Sequence, residues 1–365
     1  MKILFVLENY YPNVGGLETL FKALVEKLAA AGHEITIITT KPFGGLPFKE
    51  ILGNIKIIRL PFGRYTYTLL GFIPIVFYIR KMDIIQTTSY NAGIPAILAG
   101  KIFRKKVVIT FHEVWADLWE ELPFMSKFSK WGHRLFERNL LRLPFDKFVA
   151  VSNATAAALQ KAGIDEGKIE VIHNGIDYDE FSVVKKIPVA NKEFNYLYFG
   201  RLGVSKGLDL ILDAAVKFRT TNPNSKLTMI IPKNPKPFYK LFMNLVKEKE
   251  LLDYIDFKHQ LKYEEVLNEL TKTDCAIIPS YSEGFSYAAV ECIALETPII
   301  SSDRAALKEV VSGTYIKMQE QSADGLHNAL VKAANGEWEK SPIKKFHIAD
   351  TITKYIHLYN KMIQS

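Results

Sequence analysis

The sequence is poor in the features that mark several large protein classes. Its 365 residues include only two cysteines, Cys275 and Cys292. With so few, and no Cys-x-x-Cys spacing, neither a disulfide-stapled scaffold nor a cysteine zinc site is indicated. Both thiols read as small buried apolar groups. The longest apolar run, Leu69 to Ile79, is interrupted by Gly71 and Pro74. It falls short of the roughly 20 residues that a membrane-spanning helix needs. The chain opens Met-Lys-Ile-Leu-Phe-Val-Leu and meets Glu8 and Asn9 at once. Lacking a basic leader, a full apolar stretch and a small-residue cleavage site, this segment reads as a first strand rather than a signal peptide. The expectation is a cytoplasmic protein that is not integral to a membrane. No short internal repeat, low-complexity tract or recognised nucleic-acid motif is visible. No Asp-x-Asp pair sits at a strand end in a setting suited to a metal.

What is present suits two packed domains. Hydrophobic residues make up 48% of the chain and aromatics 12%, enough to bury two large cores. The net charge of +8 and a pI near 9.1 favour anionic partners, whether nucleotide phosphates, nucleic acid or anionic lipid. Charge alone does not choose among them.

Apolar strand-like runs alternate with amphipathic helical runs. Ile3–Leu7 reads as a buried strand. Leu17, Leu20, Phe21, Leu24 and Leu28 repeat at helical spacing, and Gly32 marks that helix's end. Further strands are expected at 35–39, 56–60, 84–87, 107–110, 148–151 and 169–172. The stretch 177–192 reads as a linker. The pattern then restarts, with strands at 196–199, 227–231, 255–258, 276–278 and 298–301 separated by helical segments. Such alternation implies parallel pairing in doubly wound sheets. A terminal helix carries a stripe of Ile348, Ile352, Ile356, Tyr359 and Ile363 that must pack on something.

Four clusters carry the chemistry. The strongest lies at 279–298, where a buried strand ends at Pro279, a polar loop holds Glu283 and Gly284, and a helix begins near Ser286. Strand, tight loop and helix N-terminus together make an anion site, because backbone N–H groups and the helix dipole face the same way. Glu291 follows eight residues after Glu283, about two helical turns on. Paired carboxylates there can accept hydrogen bonds from sugar hydroxyls. On spacing alone, a helix-capping loop with two surface glutamates fits equally well. The second cluster, Phe199-Gly200-Arg201-Leu202-Gly203-Val204-Ser205-Lys206-Gly207, also joins a strand to a helix. Arg201 and Lys206 can reach a diphosphate, one as a fork and one as a point charge. Taken alone, it reads first as a glycine-rich turn with two solvated cations. The third, Gly15-Gly16-Leu17-Glu18, resembles a phosphate loop but is not Gly-x-Gly-x-x-Gly. A tight strand-to-helix turn explains it equally well. The fourth, His112-Glu113, sits at the carboxyl end of a strand, where open α/β sheets bind ligands, although a histidine standing alone is more often structural.

Together these clusters resemble the retaining glycosyltransferases of family GT4, which have the GT-B fold. The run Glu283 to Glu291 is similar to that family's E-x7-E motif. Phe199-Gly200-Arg201 with Lys206-Gly207 resembles its donor-phosphate loop. Val151-Ser152-Asn153 and the run 171–177 resemble the signature before its linker. The resemblance covers nearly the whole chain. It implies two Rossmann-like doubly wound parallel-sheet domains facing across a cleft. The expected acceptor domain is 1–182, the expected donor domain 183–345, and the expected helix crossing back to the first domain 346–365.

The resemblance also implies roles. Glu291 would hold the donor ribose, and Glu283 would contact the transferred sugar. Gly284, Phe285 and Ser286 would present backbone N–H groups, with Tyr287 and Gly200 completing the donor site. Arg201 and Lys206 would neutralise the leaving diphosphate. His112 would approach the sugar, and Gly15 and Gly16 would let acceptor or phosphate come close to backbone. The implied reaction moves a hexose from a UDP- or GDP-sugar to a hydroxyl with retention, needing neither metal nor other cofactor. The acceptor would be a glycan or lipid-linked glycan of cell-surface polysaccharide or glycoconjugate synthesis. A sugar-nucleotide epimerase on the same fold is the alternative enzyme. A basic nucleic-acid-binding protein is the non-enzyme alternative, opposed by the scatter of the basic residues. Three places depart from the family. Ile231-Pro232-Lys233-Asn234 replaces a glycine-rich turn, Glu296 stands where glycine is usual, and Asp303-Arg304-Ala305-Ala306 replaces paired glycines.

One further stretch lies outside those motifs. Lys127, Lys130, Arg134, Arg138 and Arg142 share one side of a helical projection, with Phe128, Trp131 and Leu135 beside them. Cations with adjoining aromatics suit an anionic membrane surface. Leu69 to Ile79, flanked by Arg64, Arg80 and Lys81, would add a second contact. The expectation is peripheral binding at the inner face of the cytoplasmic membrane. An ordinary solvated helix and a buried core helix would explain the same residues.

Overall fold

A computed structural model describes residues 1–13, 15–42, 45–182, 184 and 193–364. Within it the chain divides into two compact units. Most of the expected linker at 177–192 lies outside the described residues.

The first unit comprises residues 1–116, 131–175 and 347–365. Its elements are β1 (Lys2–Val6), α1 (Gly16–Ala30), β2 (Glu34–Thr40), β3 (Lys49–Leu52), β4 (Ile55–Leu60), α2 (Arg64–Leu70), α3 (Phe72–Ile79), β5 (Ile84–Thr88), α4 (Gly93–Phe103), β6 (Lys106–Phe111), all but the first turn of α5 (Lys127–Leu141), β7 (Lys147–Ala150), α6 (Asn153–Lys161) and β8 (Ile169–Val171). The sheet order is β3-β4-β2-β1-β5-β6-β7-β8, parallel except for β3. Strand alternation explains the layering, since successive side chains leave opposite faces. Leu4 and Val6 enter one apolar core while Ile3 and Phe5 enter the other. Both faces are therefore covered, as a parallel sheet requires.

The second unit comprises residues 117–130 and 176–346. It contains α7 (Asp179–Ser182), β9 (Phe194–Phe199), α8 (Leu208–Thr221), β10 (Ser225–Ile230), α9 (Lys236–Glu248), β11 (Ile255–Lys258), α10 (Tyr263–Leu270), β12 (Cys275–Ile278), α11 (Tyr287–Ala294), β13 (Ile299–Ser301), α12 (Leu307–Val310), β14 (Gly313–Lys317), α13 (Ala323–Ala334) and β15 (Glu339–Ser341). The order is β11-β10-β9-β12-β13-β14-β15, with only β15 antiparallel. Chain order reverses at β9: β10 and β11 extend to one side, and β12 onward to the other. Cys275 and Cys292 are both buried free thiols, and burial raises both pKa values well above the usual thiol range.

The final helix, α14 (Ile348–Gln364), packs in the first unit's core with Ile3, Phe5 and Phe21. Its buried face runs through Ile352, Tyr355, Leu358, Tyr359 and Met362, while Ile363 is exposed. The expected stripe is thus displaced by one residue at its end. Two tyrosines fit this face because their hydroxyls find partners. Tyr355 Oη is 2.9 Å from Thr110 Oγ1, and Tyr359 donates to Gln86 Oε1 at 2.9 Å.

The apolar run 69–79 does not form one buried core helix. Gly71 divides it between α2 and α3, and only one face of each helix points inward. The edge strands β3 and β15, and β14 beside β15, are short and largely unburied, and their sequences carry no clean alternation to announce them.

Candidate active site of the second unit

The motif loops meet where the second sheet reverses direction. In open α/β sheets this switch point, at the carboxyl ends of the strands, opens a crevice for ligand. The loop after β9 spans 200–207 and the loop after β12 spans 279–286. Because β9 and β12 are neighbours, the loops lie side by side. Tyr281 donates its N–H to the Ser205 carbonyl at 2.7 Å. Gly207 has φ +67°, and a Cβ there would meet the Pro279 carbonyl oxygen at 2.1 Å. Only glycine lets these two backbones come this close.

The two loops are also joined by charge. Lys206 Nζ donates to Glu283 Oε1 at 2.8 Å, and Ser280 donates to the same oxygen at 2.7 Å. Glu283 Oε2 makes no bond among the described residues. Lys206 is therefore held at the loop by a carboxylate rather than left as a solvated cation. The Arg201 side chain is exposed and has no partner among the described residues, while its carbonyl accepts from Tyr198 Oη at 3.1 Å. Each loop thus offers one cation or carboxylate with unused hydrogen-bonding capacity.

Glu291 projects from α11 into a different environment. Its Oε1 accepts from Tyr263 Oη at 3.1 Å, and its Oε2 has no partner among the described residues. The carboxyl is half-buried by area, yet protein surrounds it densely enough to weaken hydration of its charge. Its pKa is pushed up to about 7, chiefly by desolvation; the Tyr263 hydrogen bond opposes the rise and the Glu180 charge adds to it. Tyr263 is the residue the sequence did not reveal. It starts α10, 28 positions before Glu291, and no local pattern links the two. Asp209 and Tyr281, paired at 2.7 Å beneath the loops, are equally invisible to spacing.

Between the glutamates lies the start of α11. Ser286 is its N-cap in the left-handed region, φ 72° and ψ 81°. Its Oγ is buried with no partner among the described residues. A non-glycine residue held there stores roughly 1–3 kcal/mol of strain, and such strain clusters at ligand sites. Phe285 does not offer its side chain outward. It is buried against Phe346, with ring centroids 5.2 Å apart, and the ring of Tyr287 lies 5.5 Å away. Phe285 anchors the loop, with Gly284 half-buried before it and Ser286 buried after it.

The loop after β13 completes the wall. Ser302 donates to the Ser280 carbonyl at 2.7 Å, and Ala306 N–H to the Glu283 carbonyl at 3.1 Å. Here the departures from the family acquire a physical meaning. Asp303 has φ 52°, Ala305 φ 47° and Glu296 φ 55°, the left-handed region that glycine prefers. Non-glycine residues hold all three of these positions. Between the strained pair, Arg304 pairs with Glu121 at 2.8 Å. Glu296 occupies the residue after the α11 C-cap in a Schellman arrangement, with Thr297 N–H reaching the Cys292 carbonyl at 2.8 Å. Relief of the left-handed penalty should outweigh glycine's extra chain entropy. Glu296→Gly is therefore expected to stabilise the protein by about 0.5–1 kcal/mol. A calorimetric scan should show a rise of a few degrees, and an unchanged or lower midpoint would refute this reading.

In the first unit, Gly15 is extended, φ −179°, and caps α1. The Glu18 carboxylate folds back so closely that a Cβ on Gly15 would meet its Oε2 at 2.5 Å. His112 follows β6, its ring 6.4 Å from that of Phe21. The next residues are pinned by a buried carboxylate, since Trp115 and Ala116 donate to Glu137 at 2.8 and 2.7 Å. Glu137 thereby fixes the loop that carries His112. Among the described residues, no group of three or more histidines, cysteines or carboxylates is gathered as a metal site.

Two doubly wound parallel-sheet units with this strand order form a GT-B fold. Comparisons with known proteins agree. Residues 14–180 match Glycosyltransferase Family 4, and residues 180–357 match Glycosyl transferases group 1. Glycogen synthase of Mycobacterium tuberculosis is 25% identical over 346 residues, covering 85% of this chain and 80% of that protein. A phosphatidylinositol N-acetylglucosaminyltransferase subunit of Arabidopsis thaliana is 20% identical over 344 residues, covering 91% and 74%. The structure of Anabaena Alr3699/HepE in complex with UDP and glucose aligns with TM-score 0.72 and 16% identity over 99% of each chain. The chain belongs to the GT4-type glycosyltransferases and is an enzyme that transfers glycosyl groups.

Proposed function

We propose that the protein transfers a hexose from a UDP- or GDP-sugar to a hydroxyl acceptor with retention at the anomeric carbon. The observation that carries this reading is the pair of half-used glutamates at the switch point. Glu283 and Glu291 each have one oxygen engaged by protein and one without a protein partner among the described residues. Sugar and ribose hydroxyls are the donors such oxygens suit. A structural relative solved with UDP and glucose supports a nucleotide-sugar donor.

In this reading Glu291 accepts from the donor ribose and Glu283 from the transferred sugar. Departure of the nucleoside diphosphate builds negative charge near the N-terminus of α11. Arg201, Lys206 and the helix dipole stabilise that charge without a metal ion, and such preorganised electrostatics act most strongly as the charge develops. The acceptor oxygen attacks from the leaving group's face, the departing phosphate taking its proton. His112 and the Gly15-Gly16 turn belong to the unit assigned to the acceptor. Retention has its own test: proton NMR of the first product, recorded before mutarotation, should show the anomeric configuration of the donor. An inverted product would refute it.

The acceptor is proposed to be a lipid or lipid-linked glycan. On α5, Lys127, Arg134, Arg138 and the apolar Phe128, Trp131 and Leu135 are all exposed, as is Arg142 just beyond. An exposed basic face with aromatics beside it supports contact with an anionic leaflet. The Arabidopsis relative, whose name makes phosphatidylinositol its substrate, points the same way.

A further inference from the structure

A larger apolar surface than that of α5 lies elsewhere on the first unit. The helices α2 and α3 both pack against α4. Gly71, at the turn between them, makes this possible, because a Cβ there would meet the Tyr67 carbonyl at 2.4 Å and Pro95 at 3.4 Å. Each helix buries only part of its apolar content. Tyr67, Ile75 and Ile79 point into the core. The other side leaves Tyr65, Leu69, Ile73 and Phe77 exposed, Leu69 by 79% and Phe77 by 80%. From α4, Leu98 and Ile102 add to the same surface. A folded protein rarely leaves so many large apolar side chains together in water unless something covers them.

The rim identifies what covers them. Arg64, Arg80, Lys81, Lys101 and Arg104 are all exposed around these helices. Residues 63–82 and 93–112 contain no aspartate or glutamate. Arg80 lies over the Phe103 ring at 5.9 Å. An apolar centre with a predominantly cationic rim, in which Arg64 also pairs with Glu8 at 3.1 Å, is complementary to a bilayer interface, acyl chains meeting the centre and anionic headgroups the rim. No helix of the described residues is long and apolar enough to cross a membrane, so the fitting geometry is shallow burial parallel to the surface.

We propose that the α2–α3–α4 face inserts into the interface of an anionic bilayer and is this enzyme's main membrane anchor. The proposal extends the membrane reading of α5 but has a separable physical signature. Contact through α5 is chiefly coulombic and screened by salt, whereas apolar insertion resists screening. The experiment is co-sedimentation with vesicles of phosphatidylcholine containing about a third phosphatidylglycerol, at low and high salt. Wild type should stay partly bound at high salt. The variant Leu69→Ser/Ile73→Ser/Phe77→Ser should bind at least about tenfold more weakly, with the remaining binding removed by salt. Equal binding by this variant would overturn the proposal. Since three changes could disturb folding, Phe77→Trp gives a second readout. Its added emission should shift to the blue on vesicle addition and be quenched by brominated acyl chains. No shift, or a blue emission already present without vesicles in a protein that sizes as a dimer, would overturn it. Binding without any transfer to a lipid acceptor would leave the anchor standing and remove only the acceptor reading.

Discussion

Glu291→Ala should bind the donor about 10- to 100-fold more weakly and turn over almost none of it, while remaining folded. The estimate is the loss of a charged hydrogen-bond acceptor, roughly 1.5–3 kcal/mol. The pH dependence gives the sharper signature. Desolvation holds the Glu291 pKa near 7, so the ionised acceptor is present above that value and lost below it. Sugar-nucleotide diphosphates keep their charge across this range. Donor affinity of the wild type should therefore fall by up to about tenfold per unit below pH 7. In Glu291→Gln it should be weak and level. The sign for stability is opposite. A carboxyl whose folded pKa is raised destabilises the protein where it is ionised, so the penalty is complete above pH 7 and fades toward the unfolded pKa. Glu291→Gln should thus melt higher than wild type at pH 8, a stability gain at the cost of function. Calorimetric titration and thermal scans across pH 5.5–8 measure both.

Lys206→Ala should lower kcat by about 10²–10³-fold, as loss of a preorganised charge-stabilising group does. Arg201→Ala should have a smaller but clear effect, since its side chain is exposed in the structure. The Lys206 variant also leaves Glu283 without its cation. Comparing Lys206→Ala/Glu283→Gln with Glu283→Gln alone separates the terms: if only the orphaned carboxylate mattered, the two would turn over equally. A further loss of kcat in the double variant assigns the effect to the leaving group. EDTA should change the wild-type rate little. A large loss in EDTA, restored by magnesium or manganese, would transfer this role to a metal.

Much of the fold was legible because parallel strands are buried on both faces. Runs such as Ile35–Thr39 and Val107–Thr110 stand out wherever a strand is fully covered. The antiparallel edge strands β3 and β15 were not legible, since they are short and largely in water. The motif loops could be placed because glycine spacing records close backbone approaches, as Gly207 against Pro279 illustrates. Pairings across the sheet could not. Nothing in the order of residues says that Lys206 finds Glu283, 77 positions away, or that Tyr263 finds Glu291. Nor did the sequence separate exposed from buried turns of 69–79, because an apolar helix looks alike whichever way it faces. Residues 296, 303 and 305 show the converse: their φ is positive although none of them is glycine.

The central claim is that the paired loops at the β9/β12 switch point bind a nucleoside diphosphate sugar. Its most direct test is titration of UDP-glucose, UDP-N-acetylglucosamine and GDP-mannose into wild type, Glu291→Ala and Lys206→Ala. The account predicts that at least one donor binds the wild type and that both variants weaken it by about tenfold or more. A donor that binds all three proteins equally well would contradict it.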